Sequence, residues 1–200
     1  MNQIINIVLS ITTTITAIIA IIISVIGINK SNKQSLFERR LKAYLTVKWM
    51  ESLCNNDKEN IVNQYILNKN NRKSDDLFKL FELMTNCTFL KDIQDTLNHI
   101  SEKDVRRKFF LKVESLKNLC EEVTLIFPEN IGSAISDFIF YYEEALVAMY
   151  EFYAAMNGTD SPKENECLKR MKHYAKGTFE LASRIHNEGI LKKAENKIKL

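Results

Sequence analysis

Hydrophobic and polar positions divide the chain into one long uncharged run, apolar but for Asn6 and Ser and Thr hydroxyls, followed by a series of helical patterns. Residues 1–29 contain no Asp, Glu, Lys, Arg or His, and from Ile4 to Ile28 the run is dominated by isoleucine. Those residues extend about 37 Å as a helix, enough to cross a ~30 Å hydrocarbon core with some tilt. Ser and Thr hydroxyls are tolerable there, because each can bond back to a carbonyl one turn earlier. The apolar character runs all the way round, which argues against a buried core helix. A cleaved signal peptide fits less well: there is no basic n-region, the stretch is too long, and Val25-Ile26-Gly27 is a poor cleavage site.

Beyond the run the periodicity stays helical. Asn29–Ser35 reads as a short polar joint or as a continuation of the membrane helix. A helix over about 34–54 carries Leu36, Phe37, Leu41, Tyr44, Leu45, Lys48, Trp49 and Leu53 at 3/4 spacing. Asp57 caps a short helix to about Asn68, with Ile61, Tyr65 and Ile66 inward, and 68–74 is the most polar loop. Ser74-Asp75-Asp76 opens a helix buried through Leu77, Leu80, Phe81 and Met84. After a break near Asn86, Phe89, Ile93 and Leu97 continue that face. Ser101-Glu102-Lys103-Asp104 resembles a capping box for a helix that Pro128 stops after Phe127.

Residues 129–157 are the most hydrophobic segment outside the anchor and predict a central helix ended by Gly158. Its polar side chains repeat every seven positions as an acidic seam, Asp137, Glu144 and Glu151. Ser161-Pro162 starts the last helix, with Leu168, Met171, Ala175, Thr178, Ala182 and Ile185 on its inner stripe. The segment after Gly189 is basic and is expected to fray. The fold class expected is all-α: a transmembrane anchor (1–29), a basic juxtamembrane helix (30–56), a bundle domain (57–188) and a basic tail (189–200), with five to seven helices in the cytosolic part.

Composition agrees. The 200 residues include only 5 Gly and 2 Pro, too few for the tight turns a sheet protein needs. A net charge of +3, from 28 basic and 25 acidic residues, is too balanced to suggest nucleic-acid binding. Cys54, Cys87, Cys120 and Cys167 lie far apart with no metal-type pairing, so reduced, buried thiols are expected. The equal intervals from Cys54 to Cys87 to Cys120 lack aligned flanks and do not make a repeat.

Charge sets the expected topology. Residues 30–48 carry Lys30, Lys33, Arg39, Arg40, Lys42 and Lys48 against Glu38. Basic side chains stay on the cytoplasmic side, so the N-terminus faces out and the domain faces in. The same charges either lie against anionic headgroups or only enforce topology while the apolar face packs into the bundle. Within the span, Ser10, Thr13, Ala17, Ala20, Ser24 and Gly27 recur in steps of three and four. This small-residue stripe permits close helix approach and points to self-association, unless the phasing is chance.

No catalytic or metal constellation in the sequence rises above chance. The spacings of Arg170 to His173 and Arg184 to His186 are wrong for a HEPN-type nuclease, and HExxH, P-loop, GxSxG and Glu-x-x-His di-iron patterns are missing. His99, His173 and His186 read as surface or capping residues. The acidic seam reads as a solvated face, or as a partner for Arg106, Arg107 and Lys108, before it reads as a catalytic pair. No cofactor is expected.

The stretch Leu36-Phe37-Glu38-Arg39-Arg40-Leu41-Lys42-Ala43-Tyr44, just after a hydrophobic span, resembles one common in uncharacterised bacterial and phage single-pass membrane proteins. It covers nine residues and implies no activity. The expected function is a non-enzymatic, membrane-anchored helical module at an inner (plasma) membrane, with the bilayer, itself and an unknown protein as partners. The alternative is a membrane-perturbing effector of a phage-defence or toxin system.

Overall fold

A computed structural model describes residues 2–56, 74–157 and 161–198, with side chains described over 12–56, 76–157 and 163–198. Among these residues every element is helical: α1 (Asn2–Asn56), α2 (Ser74–Thr85), α3 (Lys103–Ile126), α4 (Glu129–Met156), α5 (Ser161–Asn187) and α6 (Ile190–Ile198), with a 3₁₀ turn at Lys91–Ile93. The chain is therefore all-α, with a helical bundle. It divides into two compact units, Met1–Arg39 and Arg40–Leu200. The short helix and polar loop expected over 57–73, and Gly158, lie outside the described residues.

The first unit belongs wholly to α1. Asn29–Ser35 is not a joint but part of this helix, since it contains no proline or glycine to break it. α1 is long and apolar enough to cross a membrane, and its most apolar stretch buries nothing within the molecule. The hydroxyls behave as the sequence suggests: Thr16 Oγ1 donates to Thr12 O at 2.8 Å, and Ser24 Oγ to Ala20 O at 2.8 Å. Each bonds its own backbone and so remains compatible with hydrocarbon.

In the second unit α4 is the central element, packed along α3 on one side and α5 on the other, and touching α2 and α6. Ile135, Phe138, Ile139, Tyr142, Leu146 and Met149 are fully buried. Removing each such side chain from water stabilises the fold by about 1.5–3 kcal/mol. The α3–α4 corner depends on two residues. Pro128 follows an extended Phe127 and stops α3. A Cβ on Gly132 would lie 2.9 Å from Val123 O and 3.1 Å from Thr124 Cα, so only glycine allows the first turn of α4 to cross α3 at backbone contact.

Three local expectations are corrected. In residues 40–56 the buried face is Ala43, Val47, Met50 and Cys54, with Tyr44 and Glu51 beside it, whereas Trp49 is 41% exposed. This segment has apolar residues at nearly every helical phase, so its neighbours, not its bulkiest side chains, select the face. The capping box does not form. Glu102 takes the N-cap position of α3 with extended φ/ψ and no side-chain cap, and its carboxylate meets His99 Nδ1 at 2.9 Å instead. The basic tail does not fray: after Gly189 (φ +61°), α6 packs through Ile190, Ala194 and Ile198. A left-handed residue there closes α5 and lets a new helix start at once.

Candidate functional site

α5 runs antiparallel to α4 and supplies the partner of the acidic seam. Arg170 Nη1 meets Glu151 Oε2 at 2.6 Å, and Nη2 meets Glu144 Oε2 at 3.4 Å. Burial works against the arginine's charge, but Glu151 and then Glu144 outweigh it, and the guanidinium is held more firmly protonated than usual. The seam pairs with α5, not with Arg106, Arg107 and Lys108, which are exposed on α3. One guanidinium that bridges two carboxylates of α4 ties α5 to α4, with its planar fork fixing both contacts.

Asp137 stands apart from that clamp. It borders a groove of about 680 Å³ between α4 and α5, lined also by Tyr141, His173, Lys176, Gly177 and Arg184. The ring of Tyr141 lies on the bare backbone of α5: a Cβ on Gly177 would fall 2.4 Å from two of its ring carbons. His173 and Tyr174 flank the same ring, with centroids at 6.0 and 5.7 Å. The groove's cations are engaged along their own helix, Lys176 with Glu180 at 3.7 Å and Arg184 with Glu188 at 2.9 Å. A smaller cavity of about 430 Å³ beside Glu151 and Arg170 is lined by Cys167, whose thiol is pushed up chiefly by burial, then by Glu151. A thiol kept protonated is a poor nucleophile.

Glu143 is a buried site residue that the sequence pattern does not single out. It precedes Glu144 but points 100° away, toward α3, where it is 2% exposed. Its Oε1 has no hydrogen-bond partner, and the nearest cation, Lys117 Nζ, lies 3.7 Å away. Burial raises its pKa, Lys117 opposes the rise, and Glu144 adds to it. No feature of two adjacent glutamates tells which one faces inward.

A raised carboxyl pKa stabilises the fold fully below the unfolded-state value, and that stability is lost as pH rises through the folded-state value. Glu143→Gln is therefore expected to melt like the parent in mild acid and to be the more stable of the two at pH 8. The difference should be about 1–2 kcal/mol, the scale of an unsatisfied buried group, or a few degrees in Tm. Melts of both proteins with the same pH dependence would exclude Glu143 as the source.

The remaining predicted residues fall in two groups. Thr13, Ala17, Ala20, Ser24 and Gly27 are exposed along α1, and a Cβ on Gly27 would meet nothing within 4 Å. Ser10 lies in α1 but outside the described side chains. Lys30, Lys33, Arg39 and Lys42 are exposed. Arg40 is turned into the bundle: Nε donates to Ile126 O at 2.6 Å, Nη1 donates to Lys197 O at 2.9 Å, and the guanidinium lies 6.0 Å from the Phe127 ring. It thus caps the C-terminal ends of α3 and α6 together, where carbonyls lack helical donors and a positive charge suits the dipole. Two further pairs follow along α1, Tyr44 OH donating to Glu195 Oε2 at 3.3 Å and Glu51 Oε1 meeting His186 Nδ1 at 2.9 Å. The order of these contacts shows residues 40–56 running antiparallel to the end of α5 and to α6.

Among the described residues no group of three or more His, Cys, Asp or Glu side chains is placed to hold a metal ion. Comparison of the chain with protein-family models, with curated proteins and with solved structures gives no match.

Proposed function

We propose that this chain is a membrane-anchored helical interaction module without enzymatic activity, whose anchor self-associates and whose bundle lies on the cytosolic side of a plasma membrane. One observation carries the reading. Ile15, Ile18, Ile19, Ile21, Ile22, Ile23, Ile26 and Ile28 are all more than half exposed around the full circumference of α1. Leaving such side chains in water forgoes about 1.5–3 kcal/mol apiece, and a bilayer covers them all. The basic side chains that follow the span favour retention of the bundle in the cytosol. The small-residue stripe favours pairing, because small side chains let backbones approach where lipid offers no hydrophobic drive. The acidic seam, clamped by Arg170, is better suited to joining α4 to α5 than to catalysis.

The stripe makes a specific demand. In a membrane reporter assay of self-association, Ala17→Ile and Ala20→Ile in the full chain should each reduce the signal several-fold. Ile18→Ala, off the stripe, should leave it unchanged. If both stripe variants signal like the parent, the anchor tethers without pairing.

A further inference from the structure

α3 turns one long face to solvent. Arg107, Leu111, Glu114, Asn118, Glu121 and Leu125 follow one another in steps of four and three, and all are exposed. Such steps keep to a single side of a helix, and Arg107 to Leu125 covers about 27 Å. The opposite side is the core side, through Phe109, Val113, Leu116, Leu119, Val123 and Ile126. The outer face is partly apolar: Leu125 is 80% exposed and Leu111 52%, with Phe110 beside them.

Charge along α3 is polarised. Residues 103–108 hold Lys103, Arg106, Arg107 and Lys108 against Asp104, whereas residues 121–126 hold Glu121 and Glu122 and no cation. Cations at a helix start and acids toward its end reverse the order that the helix dipole favours, so the field of α3 itself does not account for it. Pairing within the chain does not either. Among the described residues Lys103, Arg107, Lys108, Glu114 and Glu121 form no ion pair.

A face that is positive at one end and negative at the other matches a second copy of itself turned end for end, which is the relation a two-fold axis creates. With the axis beside Glu114, Arg107 lies opposite Glu121 and Lys108 opposite Glu122, each twice. Leu125 then lies along the methylene stem of Lys103, and Leu111 beside Asn118. The two Glu114 carboxylates meet near the axis. Their repulsion, and a surface only one helix wide, put the contact in the weak, reversible class.

We infer that the outer face of α3 docks antiparallel on the same face of a second copy of this chain, the basic half of each against the acidic half of the other. The contact lies wholly within the Arg40–Leu200 unit and needs no pairing of the anchors. Salt weakens it, because exposed charges are screened over about 8–10 Å.

The test is disulfide formation in the full chain in detergent micelles, with copper–phenanthroline as oxidant and the parent chain, with its own cysteines, as the blank. Glu114→Cys, beside the axis, should link into a dimer several-fold faster than the parent. Leu125→Cys, on the same face but about 33 Å from its mate in the antiparallel pair, should not. Arg107→Glu should slow the Glu114→Cys link several-fold, and adding Glu121→Arg to that chain should restore it, which a merely damaged helix would not allow. Chains brought together by their anchors alone would link equally at both positions and ignore the charge reversal, and that result overturns the contact. So does a Glu114→Cys chain that links no faster than the parent, or a second reversal that restores nothing.

Discussion

Tyr142→Ala is expected to destabilise the bundle by about 3–5 kcal/mol, the usual loss for a large aromatic removed from a packed core. The ring is fully buried on α4 and meets Phe138 edge-on at a centroid distance of 5.7 Å. Its hydroxyl donates to Met84 O, a carbonyl in the last turn of α2, where intrahelical donors run out. Burial, with smaller contributions from Cys54 and Cys87, holds the phenol well above its ordinary pKa, so it remains a donor across the working pH range. Tyr142→Phe keeps the ring and leaves that carbonyl unpaired, with an expected loss of about 1–3 kcal/mol. Urea unfolding of the full chain in detergent, followed by near-UV circular dichroism, separates the two contributions. A Phe variant as stable as the parent would show that the hydrogen bond adds nothing.

Arg40→Ala should cost about 3 kcal/mol, the low end for two lost hydrogen bonds to a charged group at about 1.5–3 kcal/mol each, because the bond to Lys197 O lies at the exposed surface. The loss should concentrate at α6. Nine residues are too few to stay helical without tertiary support, so releasing Lys197 O should let 190–198 open. Arg40→Lys keeps the charge but not the fork that reaches two carbonyls, and should recover only part of the stability. Amide hydrogen exchange on the full chain reads this directly. Protection over 190–198 should fall sharply in Arg40→Ala, while α4 keeps its own. Unchanged protection there would mean that Ile190, Ala194 and Ile198 hold α6 without help.

The helices were legible in the sequence wherever a local signal had no competitor. Pro128 cannot continue the helix that precedes it, and two aspartates after Ser74 suit the start of one, so α3 and α2 have their expected ends. The face of α5 was legible for a similar reason: with lysines and glutamates on its other sides, only one stripe could turn inward. Residues 40–56 lack that contrast, and there the choice among Leu41, Ala43, Val47 and Trp49 belongs to the neighbouring helices. The tail misled because its lysines suggested fraying, although Ile190, Ala194 and Ile198 at four-residue steps already marked a packing face. The seam of Asp137, Glu144 and Glu151 could be seen as a stripe, but not its division into an arginine clamp and a groove edge. That division comes from α5, whose Arg170 and Gly177 reach α4 only in three dimensions. Arg40 shows the same limit: nothing near it in sequence indicates that its partners are the carbonyls of Ile126 and Lys197.

The cysteines also turn the molecule into its own record of breathing. Cys54 is sealed against the bundle and its thiol is driven upward chiefly by burial, then by Glu51 and Cys87, whereas Cys120 is half-buried with Sγ 3.1 Å from Ser136 Oγ. An alkylating reagent reaches Cys120 by ordinary collision. It reaches Cys54 only when the packing between the 40–56 stretch and its neighbours opens, so the rate at which that thiol is consumed counts openings of that seam.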